Sequence, residues 1–157
     1  IIFYHMNTKD DINMLIDSEI TSSFMNSKLK VDDFTILKVI GRGSYGKVLL
    51  VKKIDTEEIL AMKILKKKEM MIRNQVIHIK NERKIMEMID HPFIIKLKYA
   101  FQNRQKLYLL TDFCPGGELF FHIQKIHRFN EEATKFYAAQ ITLALECLHA
   151  KDIIYRE

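Results

Sequence analysis

Only two cysteines occur in the 157 residues, Cys114 and Cys147, far apart and without paired or metal-ligand spacing. That argues against a disulfide framework and a zinc site, and fits a reducing, cytoplasmic setting. The six histidines, His5, His78, His91, His122, His127 and His149, show no metal spacing either and read as surface or loop residues. No apolar run approaches the ~20 residues needed to span a bilayer, and Ile1 to Tyr4 is too short and wrongly flanked for a signal peptide. The chain begins with Ile, as expected of a piece of something longer. Charge of one sign is in only mild excess: 25 Lys+Arg against 20 Asp+Glu gives a net charge of +5, which attracts anions without specifying one. The aromatics are not interleaved with basic residues on a recognisable platform, so an RNA-binding reading is weak.

What is present is a hydrophobic fraction of 48%, enough for one sizeable core. Residues 1–33 mix isolated apolar positions with polar ones and read as an extension or linker, with Met14, Leu15, Ile16 and Ile20 suited to one short helix. From Asp33 the pattern changes. Phe34 to Ile40 and Lys47 to Lys53 read as strands with glycines between them, a hairpin with a flexible tip. After a polar turn, Ile59 to Leu65 is a third strand, so an antiparallel meander is expected. Lys66 to Ile89 carries Met70, Val76, Ile79, Ile85, Met86 and Ile89 at near-helical spacing, one or two helices closed by His91-Pro92. Leu97 to Phe101 and Leu107 to Thr111 form a second hairpin, and Cys114-Pro115-Gly116-Gly117 is the clearest breaker cluster. Beyond it, Glu118 to Ile126 and a longer segment from Asn130 to about His149 are helical, the second with a cap and an acidic first turn. The fold class is therefore α+β, strands with one inserted helical segment followed by helices only.

Gly41-Arg42-Gly43-Ser44-Tyr45-Gly46-Lys47-Val48 contains G-x-G-x-x-G, a weak signal alone. Here the glycines lead into a β-rich run and not a helix, so they cap a hairpin, where missing Cβ atoms let backbone N–H groups approach phosphate oxygens. An ordinary flexible tip is the plain alternative. Lys63 places a cation inside the apolar strand Ala61-Met62-Lys63-Ile64-Leu65, where an unpaired charge is costly. Glu82, on the following helical segment among Ile79, Ile85 and Met86, is the natural partner, with a phosphate as the second. A lysine snorkelling from a sheet edge and a glutamate on a wet face would be the plain reading of that pair. Lys66-Lys67-Lys68 reads as a solvated helix start, Cys147 as a core residue of the last helix, Cys114 as exposed at a cleft, and Phe136 and Tyr137 as helix packing.

In order along the chain, Ile40 to Val48, Ala61-Met62-Lys63, Glu82, His91-Pro92-Phe93, Gly116-Gly117-Glu118-Leu119-Phe120 and Ile153-Ile154-Tyr155-Arg156 resemble the signature set of protein kinases. The resemblance covers about residues 34–157, and its details look like the AGC serine/threonine group, nearest to protein kinase B. It implies a kinase-like fold with a small lobe at 34–111 (antiparallel sheet plus regulatory helix), a hinge at 112–117 and the first helices of the large lobe at 118–157. It further implies an ATP site of Ile40, Gly41, Arg42, Gly43, Ser44, Tyr45, Gly46, Lys47, Val48, Ala61, Lys63, Thr111, Asp112, Cys114 and Glu118. Val48 and Ala61 would pack on the adenine face from above, and Leu119 would continue that apolar column below. Lys63, oriented by Glu82, would hold the α- and β-phosphates. The Asp112 carbonyl and Cys114 backbone would bond the adenine edge, with Thr111 at the gatekeeper position before them. Glu118 would touch ribose and a basic residue of a peptide substrate. Met86, Leu97 and Tyr155 match three positions of the hydrophobic stack that aligns the lobes.

The expected cofactors are ATP and Mg2+, with the magnesium ligands beyond the end of this chain. The expected partners are ATP, protein substrates with basic residues before the target Ser or Thr, and an aromatic tail motif in a groove of the small lobe. No nucleic acid and no transmembrane segment are expected. One departure stands out: Glu157 occupies the position of the catalytic-base Asp. The extra methylene matters, because misplacement by about 1 Å costs on the order of a hundredfold in rate. The catalytic-loop Asn, the Asp-Phe-Gly metal ligand and the activation loop have no counterpart in the 157 residues, so this piece alone is expected to lack transfer activity. The rival reading is a non-catalytic, kinase-like module that binds nucleotide or a partner.

Overall fold

A computed structural model describes residues 29–43 and 46–155. The short helix expected around residues 14–20 and the candidate site residues Ser44, Tyr45 and Glu157, with Arg156, lie outside the described residues. After a short 3-10 turn at Val31–Asp33 come β1 (Phe34–Gly43), β2 (Gly46–Lys53), β3 (Ile59–Lys66), α1 (Lys67–Ile72), α2 (Val76–Met88), β4 (Leu97–Gln102), β5 (Lys106–Asp112), α3 (Leu119–Ile126) and α4 (Glu131–His149). The architecture is the expected α+β one. All four strand pairings are antiparallel, and the order in the five-stranded sheet is β1-β2-β3-β5-β4. The inserted helices carry the chain past the place beside β3, so that β5 fills it and β4 becomes an edge.

Strand alternation divides the sheet into two faces. On one, Leu49, Val51, Leu60, Met62, Ile64, Tyr108 and Leu110 bury together with Phe34 and Phe101. Phe34 belongs to one edge strand and Phe101 to the other, yet their rings stack at 5.8 Å, and Phe101 stacks on Tyr108 at 4.7 Å. The sheet is thus curled until its edges meet, with this cluster inside the curl; each such ring pair contributes roughly 0.5–1.5 kcal/mol beyond its buried area. On the outer face Leu65, Leu97, Leu107 and Leu109 pack against Met70 of α1 and Val76 and Ile79 of α2.

The expected single or double helix is double. Asn74 has φ 53°, a left-handed conformation that asparagine tolerates, and it breaks the segment between α1 and α2. Val76, Ile79, Glu82 and Ile85 form the buried stripe of α2 at three-residue spacing. A third cluster joins the end of α2 to the end of α4: Ile85, Ile89 and Ile94 bury against Leu148 and Ile153, with Ala144 and Cys147 at its margin. Asn130 caps α4, its Oδ1 accepting from the Ala133 N–H at 2.8 Å, with Glu131 and Glu132 in the first turn. The helix-packing expectation for Phe136 is corrected: it is 61% exposed, whereas Tyr137 stacks on Phe129 at 5.0 Å. Among the described residues no helix is long and apolar enough to cross a membrane.

Candidate functional site

The face of the sheet outside the curl carries the candidate site. In β3, Ala61 and Lys63 share that face because they are two residues apart. Lys63 lies opposite Val48 of β2 and Leu109 of β5, and Ala61 opposite Leu50 and Thr111. Val48, Ala61, Lys63 and Thr111 therefore sit on one surface in neighbouring strands, all half-buried.

Across from this surface stands Glu82. Its place in the apolar stripe of α2 turns it toward the sheet, where it is 4% exposed. Lys63 Nζ donates to Glu82 Oε1 at 2.7 Å, across 19 residues of sequence. Such a pair costs desolvation free energy, offset only by good geometry and further hydrogen bonds. Glu82 Oε2 is buried without a hydrogen-bond partner among the described residues. A carboxylate held this way orients Lys63 and keeps its ammonium at the sheet face instead of in bulk water.

Each glycine of the β1–β2 hairpin has a different relation to its surroundings. At Gly46 a Cβ would fall 1.8 Å from the Ile64 carbonyl oxygen, so no side chain fits between β2 and β3 there. At Gly41 it would meet Val48 at an ordinary 3.5 Å, and at Gly43 it would meet nothing within 4 Å. The glycine at the third motif position is thus explained by strand packing, a reason the sequence pattern did not reveal. Arg42 and Lys47 are cross-strand partners near the tip, both exposed. Ile40 is the extra residue of a β-bulge, since Val39 pairs with Leu49 and Gly41 with Val48; it is 37% exposed.

At the far end of β5, Asp112 and Cys114 are exposed and Glu118, the residue before α3, is exposed as well. Gly117 has φ 74° in the intervening turn, and His122 Nε2 lies 2.6 Å from the Gly116 carbonyl oxygen. Thr111 Oγ1 donates to the Asp112 carbonyl at 3.3 Å. Leu119 is half-buried. Met86 and Leu97 belong to the cluster under α2, and Tyr155 is 36% exposed at the end of the described chain. Among the described residues no three His, Cys, Asp or Glu side chains converge as a metal site, so none is assigned to Mg2+.

Sequence reasoning missed a group of charges behind the Asp112 end of the sheet. Lys98 Nζ lies 3.3 Å from Asp112 Oδ1 and 3.5 Å from Glu58 Oε1, and Tyr99 Oη donates to Glu58 Oε2 at 3.3 Å. The hydrogen bond and charge of Asp112, with Glu58 adding to them, raise the Lys98 pKa above its ordinary value. Burial raises that of Tyr99, with Glu58 adding to the shift. Lys53 pairs with Asp55 and lies over the Tyr99 ring at 5.5 Å. The only sequence signal was the density of alternating charge around 53–58 and 96–98.

A curled five-stranded antiparallel sheet with an inserted helix, whose buried glutamate pairs with a lysine on the sheet face, followed by helices alone, is the kinase-like α+β fold. The family model described as "Protein kinase domain" matches residues 6–157, and the chain belongs to that family. Among similar proteins, "Protein kinase 2" of Dictyostelium discoideum is 52% identical over 126 residues, 80% of this chain and 26% of that protein. The "RAC family serine/threonine-protein kinase homolog" of the same organism is 47% identical over 132 residues, 84% of this chain and 30% of that protein. "Serine/threonine-protein kinase YPK1" of Saccharomyces cerevisiae is 41% identical over 158 residues, 98% of this chain and 23% of that protein. The chain thus spans less than a third of the length of these relatives.

Proposed function

We propose that the protein to which this chain belongs transfers the γ-phosphoryl group of ATP to Ser or Thr hydroxyls of proteins, and that the chain provides the nucleotide-binding part. The observation that carries the reading is the Lys63–Glu82 pair at 2.7 Å on the sheet face beside the glycine hairpin. In this reading the small lobe is 34–111, the hinge 112–117 and the start of the large lobe 118–157, with 1–33 as an extension. Gly41, Gly43 and Gly46 shape the loop over the phosphates, and Lys63 binds them as an oriented point charge. Ile40, Val48 and Ala61 cover the adenine, Leu119 lies below it, and the Asp112 carbonyl and Cys114 backbone meet its polar edge. Glu118 serves ribose and a basic substrate residue. When bound, ATP supplies the transferable phosphoryl group; no step is assigned to Mg2+.

The names of the relatives and the motif details support the AGC group and, within it, a protein kinase B-like member. A cytoplasmic setting belongs to the same reading, supported by the free thiols of Cys114 and Cys147. The test is calorimetric titration of ADP into this chain. Wild type should bind, and Lys63→Met should bind at least tenfold more weakly, on the order of the loss of one charge-assisted contact. Equal affinity in both would remove Lys63 from the site.

An aromatic tail motif remains part of the proposal for partners. The groove is expected between residues 66–89 and the strand around Leu97; there Met70, Val76, Ile79 and Leu97 are packed in one cluster, while Met71 and Ile72 of α1 are exposed at 55% and 65%. Lys66 and Lys106 are cross-strand partners, which favours an acidic neighbour. A peptide with two aromatics separated by two residues and an acidic end should raise the thermal midpoint, less so at high salt. No shift at low salt would count against it.

A further inference from the structure

We infer that Lys98 is a positioning residue for the hinge, held by a β-bulge between the carboxylates of Glu58 and Asp112 so that the Asp112 backbone stays in register with an adenine edge. This rests on the nucleotide reading above. Leu97 pairs with Thr111 and Tyr99 with Leu110, so Lys98 is the one extra residue of β4, without a partner in β5. A bulge re-aims a side chain at the cost of ladder regularity. Here the ammonium is delivered to the end of β5, 3.3 Å from Asp112 and 3.5 Å from Glu58.

The two carboxylates come together because the strands bring them there. Asp112 is the cross-strand partner of Leu60 in β3, and Glu58 precedes that strand by one residue. Without a cation between them like charges would repel, and Asp112, half-exposed at the strand end, is the freer of the two to swing away. Its carbonyl already accepts from Thr111 Oγ1 at 3.3 Å on the sheet side. A carbonyl oxygen has two lone pairs, so the Thr111 bond does not by itself bar a ligand if the peptide keeps its orientation. Glu58 is fixed in turn by Tyr99 Oη and by its own carbonyl, which accepts from the Lys53 N–H at 2.9 Å. Lys98 therefore ties Asp112 to an anchored point.

Calorimetric titration of adenosine and of ADP into this chain tests the inference, with Lys98→Met, Lys98→Arg, Asp112→Asn and the double variant Lys98→Met/Asp112→Asn. Because the pair is partly exposed, Lys98→Met should weaken both ligands by the same factor, roughly two- to fivefold. Lys63→Met should weaken ADP alone. Lys98→Arg should restore affinity, and the double variant should bind no more weakly than Lys98→Met, since both changes remove one interaction. Unchanged adenosine affinity in Lys98→Met overturns the inference, as does additive loss in the double variant. Failure of wild type to bind adenosine or ADP overturns the nucleotide reading and this inference with it.

Discussion

At Gly46 and Gly43 one residue type answers to two different demands. The absent Cβ of Gly46 lets β2 and β3 approach so closely that an added Cβ would fall 1.8 Å from the Ile64 carbonyl oxygen, a clash no rotamer change can relieve because the obstacle is backbone. Gly46→Ala should destabilise the chain by about 1–3 kcal/mol or more, the cost of forcing atoms into a packed site. Gly43→Ala should leave the urea midpoint within about 0.5 kcal/mol of wild type, because the space around it is open. Equal midpoints for the two variants would contradict this assignment. The Lys63–Glu82 pair was legible in sequence, because a lysine in an apolar strand demands a partner and the stripe of α2 offers one carboxylate. The packing need of Gly46 was not legible, since it depends on register between strands and not on local pattern.

At the element scale the turn between β2 and β3 is held by Lys52–Glu57 at 2.5 Å and by Lys53–Asp55. The lysine hydrogen bonds, with their charges, lower the carboxyl pKa values of Glu57 and Asp55 below the ordinary range. A carboxyl whose folded pKa is depressed adds stability that is present above its unfolded pKa and lost as pH falls through the folded one. Lys53, raised chiefly by the Asp55 hydrogen bond, has the opposite sense: its contribution is present below the ordinary lysine value and is lost as pH rises through the folded one. Carbon-detected NMR should show both carboxyls titrating below their ordinary values, with the difference shrinking at high salt; ordinary values at low salt would dissolve the pairs. Helices and strands themselves were largely readable, down to the Asn130 cap of α4, whose change to Ala should cost about 1 kcal/mol. Sheet order was not readable, because the inserted α1 and α2 free β4 to reach the edge, and nothing local to β4 or β5 states which of them neighbours β3. Nor were the bulges at Leu37, Ile40 and Lys98, whose extra residues look like ordinary strand members until the partner strand is in place.

For the whole molecule, what matters is how the sheet and the long helix α4 are made one body. Ile85, Ile89 and Ile94 of α2 and the loop after it are 3%, 3% and 9% exposed, and they bury against Leu148 at the far end of α4 and Ile153 just beyond it. Ile85 is three residues beyond Glu82 on the same buried stripe, so the hydrophobic contact that docks α4 also steadies the helix that carries the carboxylate. Leu148→Ala removes side-chain atoms from the middle of that cluster and should cost about 2–5 kcal/mol, the range for a buried leucine. The loss should be felt at a distance. Amide exchange in α2, measured on a chain that circular dichroism shows to be folded, should accelerate around 82–89 although the substitution lies in α4, and ADP should bind more weakly because Glu82 no longer holds Lys63 steadily. A surface change on the opposite side of α4, Thr142→Ala, should do neither. If protection in α2 is unchanged while α4 alone loosens, then α2 is held by the sheet alone, and the third cluster is a contact without influence on the site.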